Sequence, residues 1–203
     1  MDDVRNTFEA NVFAVMAMVQ AFIRPLIAAK GLIVNISSLS SITPYCFGSV
    51  YCATKGAVNA YSRTLRLELR PFGVRVMVAM TGTIKSNIAS RTHRELLPDS
   101  LYEPVKDVFT WRLTFSQNNA TVPTREYAAK LVAAALREES AGPLGRLLGW
   151  GPPKWFWAGG FAGGVKFLTW FGEWLIDLVL ARTFRLGHMT KKIQEANAGK
   201  KNV

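Results

Sequence analysis

Apolar and polar positions alternate between two regimes along this chain. From about Val4 to Ala29 apolar residues dominate a long uninterrupted stretch, which predicts a helix. Gly31-Leu32-Ile33-Val34-Asn35-Ile36-Ser37 then forms a nearly continuous apolar run entered by a glycine. Such a run predicts a strand buried on both faces, as in a parallel sheet. A loop rich in Ser, Thr, Pro and Gly follows, and the pattern predicts a helix from about Val50 to Arg70, stopped by Pro71-Phe72-Gly73. Val74 to Met80 predicts a second strand. Strand, loop, helix and strand make a βαβ unit, so the fold class is α/β. Beyond it, about Ile88 to Pro123 carries few regular patterns; Glu126 to Arg137 predicts a helix with Thr124 as N-cap. A further strand is expected near Leu144-Gly145-Arg146-Leu147-Leu148.

The chemistry concentrates in the βαβ unit. Ser38 stands at the carboxyl end of the first strand, where open α/β sheets place their ligands. Tyr51 and Lys55 are four residues apart on the helix and so share one face. An ammonium beside a phenol favours the phenolate, so Lys55 is expected to lower the Tyr51 pKa and make it a general acid/base near neutral pH. Ser38 can hydrogen-bond the same substrate oxygen. That is the chemistry of carbonyl reduction or alcohol oxidation.

Asn35-Ile36-Ser37-Ser38, followed by Tyr51-Cys52-Ala53-Thr54-Lys55 with the tyrosine thirteen residues after Ser38, resembles the active-site signature of the short-chain dehydrogenase/reductase family. The resemblance covers about Val4 to Ala89. It implies Ser38, Tyr51 and Lys55 as catalytic residues and Asn11, within Phe8-Glu9-Ala10-Asn11-Val12, as organiser of a proton relay. Thr81-Gly82-Thr83-Ile84-Lys85-Ser86 is similar to the family's nicotinamide loop, with threonine where proline is usual. Gly82, Ile84 and Ser86, together with Tyr51 and Lys55, are thereby implied as cofactor-binding, and NADP(H) ranks ahead of NAD(H). The fold implied is the C-terminal part of a Rossmann-like doubly wound parallel sheet. Only ten residues precede Asn11, so the strand and Gly-rich turn that cradle a pyrophosphate are expected to be missing, roughly 80–90 residues by comparison with the two-half plan. The late glycines Gly159-Gly160 and Gly163-Gly164 are expected to have no phosphate-cradling role. A sheet lacking those strands leaves an exposed apolar edge, which predicts poor folding without a partner.

Composition changes the picture mainly at the C-terminus. The chain has 203 residues and a net charge of +11, and residues 142–203 carry 9 Lys/Arg against 3 Asp/Glu. No nucleic-acid motif accompanies this charge, so nucleic acid is set aside as a partner. Trp150, Trp155, Trp157, Trp170 and Trp174 crowd into residues 150–180. A helical projection puts Lys166, Trp170, Glu173 and Asp177 on one stripe and Phe167, Phe171, Trp174, Leu175 and Leu178 opposite, with Arg182, Arg185, Lys191 and Lys192 following. One amphipathic helix is expected there, lying in a membrane interface or covering the substrate site or a dimer contact. The division is thus 1–149, a partial reductase domain, and 150–203, an aromatic and basic helical tail. Phe47-Gly48-Ser49-Val50-Tyr51-Cys52-Ala53-Thr54-Lys55 and the tail are similar to the fungal acyl-dihydroxyacetone-phosphate reductases.

That subgroup implies NADPH-dependent reduction of a lipid-like ketone at endoplasmic reticulum or lipid droplets, a cytoplasmic location being the other expectation. Lys85, Arg91 and Arg94 are expected anion contacts. Helices 4–29 and 50–70 are expected to pair in a homo-oligomer. The alternative function is a catalytically inactive fragment that binds membranes or dimerises. Neither a disulfide between Cys46 and Cys52 nor a metal site at His93 or His188 is expected.

Overall fold

The computed structural model describes residues 1–87, 94–137 and 151–201. The N-terminal helix runs unbroken over Asp2–Ala28. It comprises α1 (Asp2–Phe8), a π-helical turn (Glu9–Phe13) and α2 (Ala14–Ala28). Its length and apolar composition would suffice to cross a bilayer; here it lies along the sheet through Val19. Lys30 and Gly31 turn the chain into β1 (Leu32–Ser38). A short 3₁₀ turn (Leu39–Ser41) and a loop lead to α3 (Ser49–Glu68). A second 3₁₀ turn (Arg70–Phe72) closes at Gly73, whose φ of 73° is the left-handed conformation that glycine tolerates. β2 (Arg75–Thr81) follows.

β1 and β2 pair in parallel from Leu32 opposite Arg75 to Ser38 opposite Thr81. The βαβ unit is therefore as the apolar pattern requires. Val19, Ile33, Leu65, Leu69, Val74 and Val76 form the core between α2, α3 and the two strands. The polar residue inside β1 is accounted for: Asn35 Nδ2 donates to Ser62 Oγ at 2.8 Å, and Ser62 in turn donates to the Val58 carbonyl at 2.6 Å.

The third strand differs from the expected one. It is β5 (Trp155–Ala158), parallel to β2 with Val78 opposite Trp155, giving a sheet order β1-β2-β5. The segment expected as a strand, 144–148, lies outside the described residues. The aromatic segment thus begins inside the sheet: Trp155 and Trp157 pack with Leu39, Val78, Met80 and Ala162. β1 is the other edge, and its Ile36 is exposed, as are Met18 and Phe22 on the neighbouring α2.

The described part of the stretch 88–123, residues 94–123, is more regular than its sequence suggests. It contains α4 (Lys106–Asn118), which is followed by α5 (Thr124–Ala135); β3 (Ile84–Lys85) and β4 (Val122–Pro123) pair in parallel nearby. Tertiary packing rather than its own periodicity holds α4: Trp111 and Phe115 meet Phe184, and Phe109 meets Phe47. Thr124 opens α5 without capping it, because its hydroxyl donates to the Lys85 carbonyl at 2.6 Å.

The single amphipathic helix expected near 166–182 is broken. α6 (Ala162–Leu168) and α7 (Glu173–Thr183) are separated at Gly172, whose φ is 91°. α8 (Leu186–Lys201) returns against the start of α4 through Met189 and Ile193. The break removes the common stripe of Trp170 with Glu173 and Asp177. Trp170 is 80% exposed and Trp174 66%, and Phe167 and Phe171 beside them are also open to solvent.

Candidate active site

The first of the expected site residues, Ser38, ends β1, at the carboxyl edge of the sheet. Its Oγ accepts the Ser40 amide at 3.2 Å and lies 2.7 Å from Ser40 Oγ. Tyr51 is in the first turn of α3, with the hydroxyls of Ser38 and Ser40 close enough to its phenol to favour the ionised form. Residues thirteen apart in sequence therefore converge on one point, because the loop between them folds back over the sheet.

The electrostatics differ from the expectation. Burial pushes the Tyr51 phenol above its ordinary value, and the hydrogen bonds from Ser38 and Ser40 only partly offset this. Lys55 does not counter it: its Nζ is 5.8 Å from the Tyr51 ring centroid and donates to the Ile36 carbonyl at 3.0 Å. Burial in turn pushes the Lys55 ammonium down. As it stands, burial favours the protonated phenol.

Asn11 sits in the π-helical turn, a local widening that recurs at functional sites. Its Nδ2 donates to Thr54 Oγ1 at 3.1 Å, and Thr54 donates to the Tyr51 carbonyl at 2.7 Å. Asn11 thus ties the N-terminal helix to the first turn of the helix that carries Tyr51. Asn11 and Lys55 also line one groove of about 670 Å³ between α2 and β1.

Gly82, Ile84 and Ser86 follow β2 at the same edge of the sheet. A Cβ at Gly82 would stand 2.1 Å from the Gly160 carbonyl oxygen, so this glycine is required for close approach of two backbones. Gly159 and Gly160, expected only to have no phosphate-cradling role, are the other side of that contact: the Gly82 amide donates to Ala158, and Thr83 and Gly160 exchange hydrogen bonds at 2.9 and 3.1 Å. Lys85 is exposed, and Arg91 lies outside the described residues.

One residue of this loop's surroundings was not visible in the sequence. Gln117 on α4 donates from Nε2 to the Ile84 carbonyl at 3.2 Å and accepts the Ser86 amide on Oε1 at 3.0 Å. The loop therefore presents one acceptor and one donor spaced for a single carboxamide. That donor set fits the amide of a nicotinamide, and the half-buried Lys55 retains donors for a ribose. The described residues fit the nicotinamide end of a dinucleotide; none of them forms a Gly-rich turn at a helix N-terminus for the pyrophosphate.

A parallel α/β sheet with a serine and a tyrosine meeting at its carboxyl edge, and a lysine one turn further along the helix, defines a Rossmann-like scaffold. Comparison with known proteins carries this further. The short chain dehydrogenase family profile matches residues 1–96. The chain is 36% identical over 201 residues to the short-chain dehydrogenase fogD of Aspergillus ruber, covering 97% of this chain and 64% of that protein. It is 32% identical over 200 residues to the NADPH-dependent 1-acyldihydroxyacetone phosphate reductase of Saccharomyces cerevisiae, covering 97% of this chain and 63% of that one. A short-chain dehydrogenase from Streptomyces avermitilis shares the fold, with a TM-score of 0.65 at 22% identity over 93% of this chain and 64% of its own. The chain belongs to the short-chain dehydrogenase/reductase family. It spans somewhat under two thirds of the length of these relatives.

Proposed function

We propose that this protein is an NAD(P)H-dependent reductase of a ketone on a hydrophobic, lipid-like substrate. The observation that carries the proposal is the convergence of Ser38 and the protonated Tyr51 phenol at the carboxyl edge of the sheet. A nicotinamide held by the loop at Ile84 and Ser86 and by Lys55 would supply the hydride for the carbonyl carbon. Tyr51 Oη gives its proton to the carbonyl oxygen, and Ser38 Oγ donates a hydrogen bond to that same oxygen as charge develops on it. Lys55, whose Nζ donates to the Ile36 carbonyl and stands 5.8 Å from the Tyr51 ring, would hold the ribose, and must leave that carbonyl to reach the phenolate that remains. Asn11 keeps the first turn of α3 in place through Thr54. Carbon gains the hydride, oxygen gains the proton, and the phenolate is reprotonated from solvent.

NADPH as reductant and 1-acyldihydroxyacetone phosphate as substrate are favoured by the likeness to the yeast reductase. The test is NADPH consumption with 1-acyldihydroxyacetone phosphate, by wild type and Tyr51→Phe. Turnover lost in the variant supports the reading. Turnover that survives intact in the variant would remove Tyr51 from the chemistry, whereas no turnover by wild type, or NADPH binding too weak to measure, favours the non-catalytic alternative.

We also propose that α6 and α7 rest on a membrane surface, at endoplasmic reticulum or lipid droplet. Trp170 and Trp174 are exposed beside Phe167 and Phe171, with Lys166 and Arg182 on the same two helices. Aromatic rings favour the headgroup level and cations favour anionic lipid. The exposed Phe13, Met18 and Phe22 on the N-terminal helix support pairing of two copies through that face.

A further inference from the structure

Arg112, on α4, is 8% exposed, and its Nε is buried with no hydrogen-bond partner. The guanidinium carbon lies 4.1 Å from the centroid of the Tyr45 ring. The ionisable groups that bear on it are Tyr45, Cys52, Cys46 and a second cation, Arg94, with no carboxylate among them. A buried cation normally requires a paired anion. The stack on Tyr45 offsets part of that cost, but it satisfies none of the guanidinium N–H donors.

Its position is specific. A Cβ at Gly48 would stand 2.5 Å from Arg112 Nη2. Gly48 is the N-cap of α3, a helix of 20 residues, and no side chain caps it. Cys52 makes the first intrahelical bond, to the Gly48 carbonyl. The amides ahead of it, Ser49 to Tyr51, are among the leading N–H groups that a helix leaves without intrahelical partners. Guanidinium and helix N-terminus therefore place positive charge together, one turn or less from Tyr51.

We propose that Arg112 and the N-terminus of α3 bind a phosphate monoester of the substrate and thereby hold its ketone against Tyr51. This rests on the reductase reading for the identity of the ligand, not for the existence of the site. A carboxylate offers two oxygens; the forked guanidinium and the leading amides together match the three terminal oxygens of a phosphate better.

The test is a titration of the ¹⁵N-labelled chain with inorganic phosphate at constant ionic strength, without NADPH. A saturable shift of the Arg112 Nε–H resonance, tighter with phosphate than with acetate, is expected. Arg112→Leu, shown folded by its melting transition, is expected to bind about ten- to a hundredfold more weakly, the size of lost charge-assisted hydrogen bonds. If that variant fails to fold, Gly48→Ala serves instead, since the added methyl displaces Nη2; it too is expected to weaken binding. Vesicles containing phosphatidic acid form a second arm. Arg112-dependent sedimentation with them would make the phosphate a lipid's, and dependence on soluble phosphate alone would make it a small molecule's.

No saturable shift, acetate binding as tight as phosphate, or equal affinity in folded Arg112→Leu would overturn the proposal and leave Arg112 a packing residue over Tyr45. Phosphate binding that requires Arg112 in a protein with no NADPH turnover would sink the reductase reading alone.

Discussion

The β1–α3–β2 unit and the α6–α7 segment place their residues in opposite senses. In the first, polar groups turn inward: Asn35, Ser37, Thr54, Asn59 and Ser62 are buried among apolar neighbours. In the second, apolar groups turn outward, with Trp170 at 80% and Trp174 at 66% exposure. Buried polar residues are stable only when paired, and those of the βαβ unit largely are, through Asn35 to Ser62 and Asn59 to Ser41. Exposed large aromatics stay in water only at a free-energy cost that a ligand or surface can remove. The inward polar set holds together the strand and helix that carry Ser38 and Tyr51, and the outward apolar set is the face proposed above for attachment. On the proposed reading, one chain separates the two tasks by the direction its side chains face.

The largest effect expected from this contrast is at Tyr51. Tyr51→Phe keeps the ring's packing and removes the only proton the mechanism uses. Reductase turnover is expected to fall by about 10²- to 10⁴-fold, the usual worth of a general acid. Stability is expected to change by only about 1 kcal/mol, the worth of one hydrogen bond. Turnover assays paired with urea melts check both. A variant that lost stability and kept turnover would place Tyr51 in the scaffold and not in the chemistry.

Gly82→Ala comes next, and it acts on the scaffold. The new methyl meets the Gly160 carbonyl oxygen, which is backbone and cannot swing aside. Destabilisation of about 1–3 kcal/mol is expected, as for other overpacked sites. Gly163→Ala, where no atom stands within 4 Å of the new methyl, is the control, and it should be close to neutral or slightly stabilising. Chemical denaturation of the two variants separates them. Equal effects would mean that the Gly82–Gly160 contact does not hold the end of β2 against the end of β5.

The attachment side is sharpened by Trp170→Ser with Trp174→Ser. Loss of two partly immersed rings is expected to weaken binding to anionic vesicles by about tenfold or more, taking roughly 1 kcal/mol or more for each ring. The melting temperature should be unchanged, because neither ring is buried in the fold. Co-sedimentation and a thermal melt read the two quantities. A double variant that binds vesicles as well as wild type would assign the aromatic face to a protein contact.

What was legible in the sequence follows the same division. Ser38, Tyr51 and Lys55 lie within eighteen residues, and the strand and helix that position them have strong periodic patterns. Local sequence therefore carries most of that geometry. Gln117 and Arg112 reach the surroundings of the site from α4, a helix whose weak patterning hid it, and their partners Ile84, Ser86, Tyr45 and Gly48 are 31 to 67 positions away. Nothing in a one-dimensional pattern joins such pairs. β5 was missed for a different reason: Trp155-Phe156-Trp157-Ala158 is apolar at every position, so it shows neither period. The need for glycine at Gly159 and Gly160 became evident only once β5 had brought them against Gly82.

The smallest effect expected is in the pH dependence of stability, and its sign tests whether Tyr51 and Lys55 titrate as a pair. Burial raises the Tyr51 pKa above its ordinary 10.0, as it does for Tyr45 and Tyr127. A raised folded-state value contributes stability that is complete below about pH 10 and is lost as pH climbs toward the folded value. Burial lowers the Lys55 pKa below its ordinary 10.5, which works the other way. The folded state prefers neutral lysine, so stability is gained as pH rises from the lowered value toward 10.5. Wild type should therefore lose stability above about pH 10, with the loss partly masked by Lys55. Tyr51→Phe should flatten the decline, and Lys55→Met should steepen it. Urea melts across pH 8 to 11 read these slopes. Were Lys55→Met to leave the decline as steep as in wild type, Lys55 would not be titrating across this window and would not oppose Tyr51.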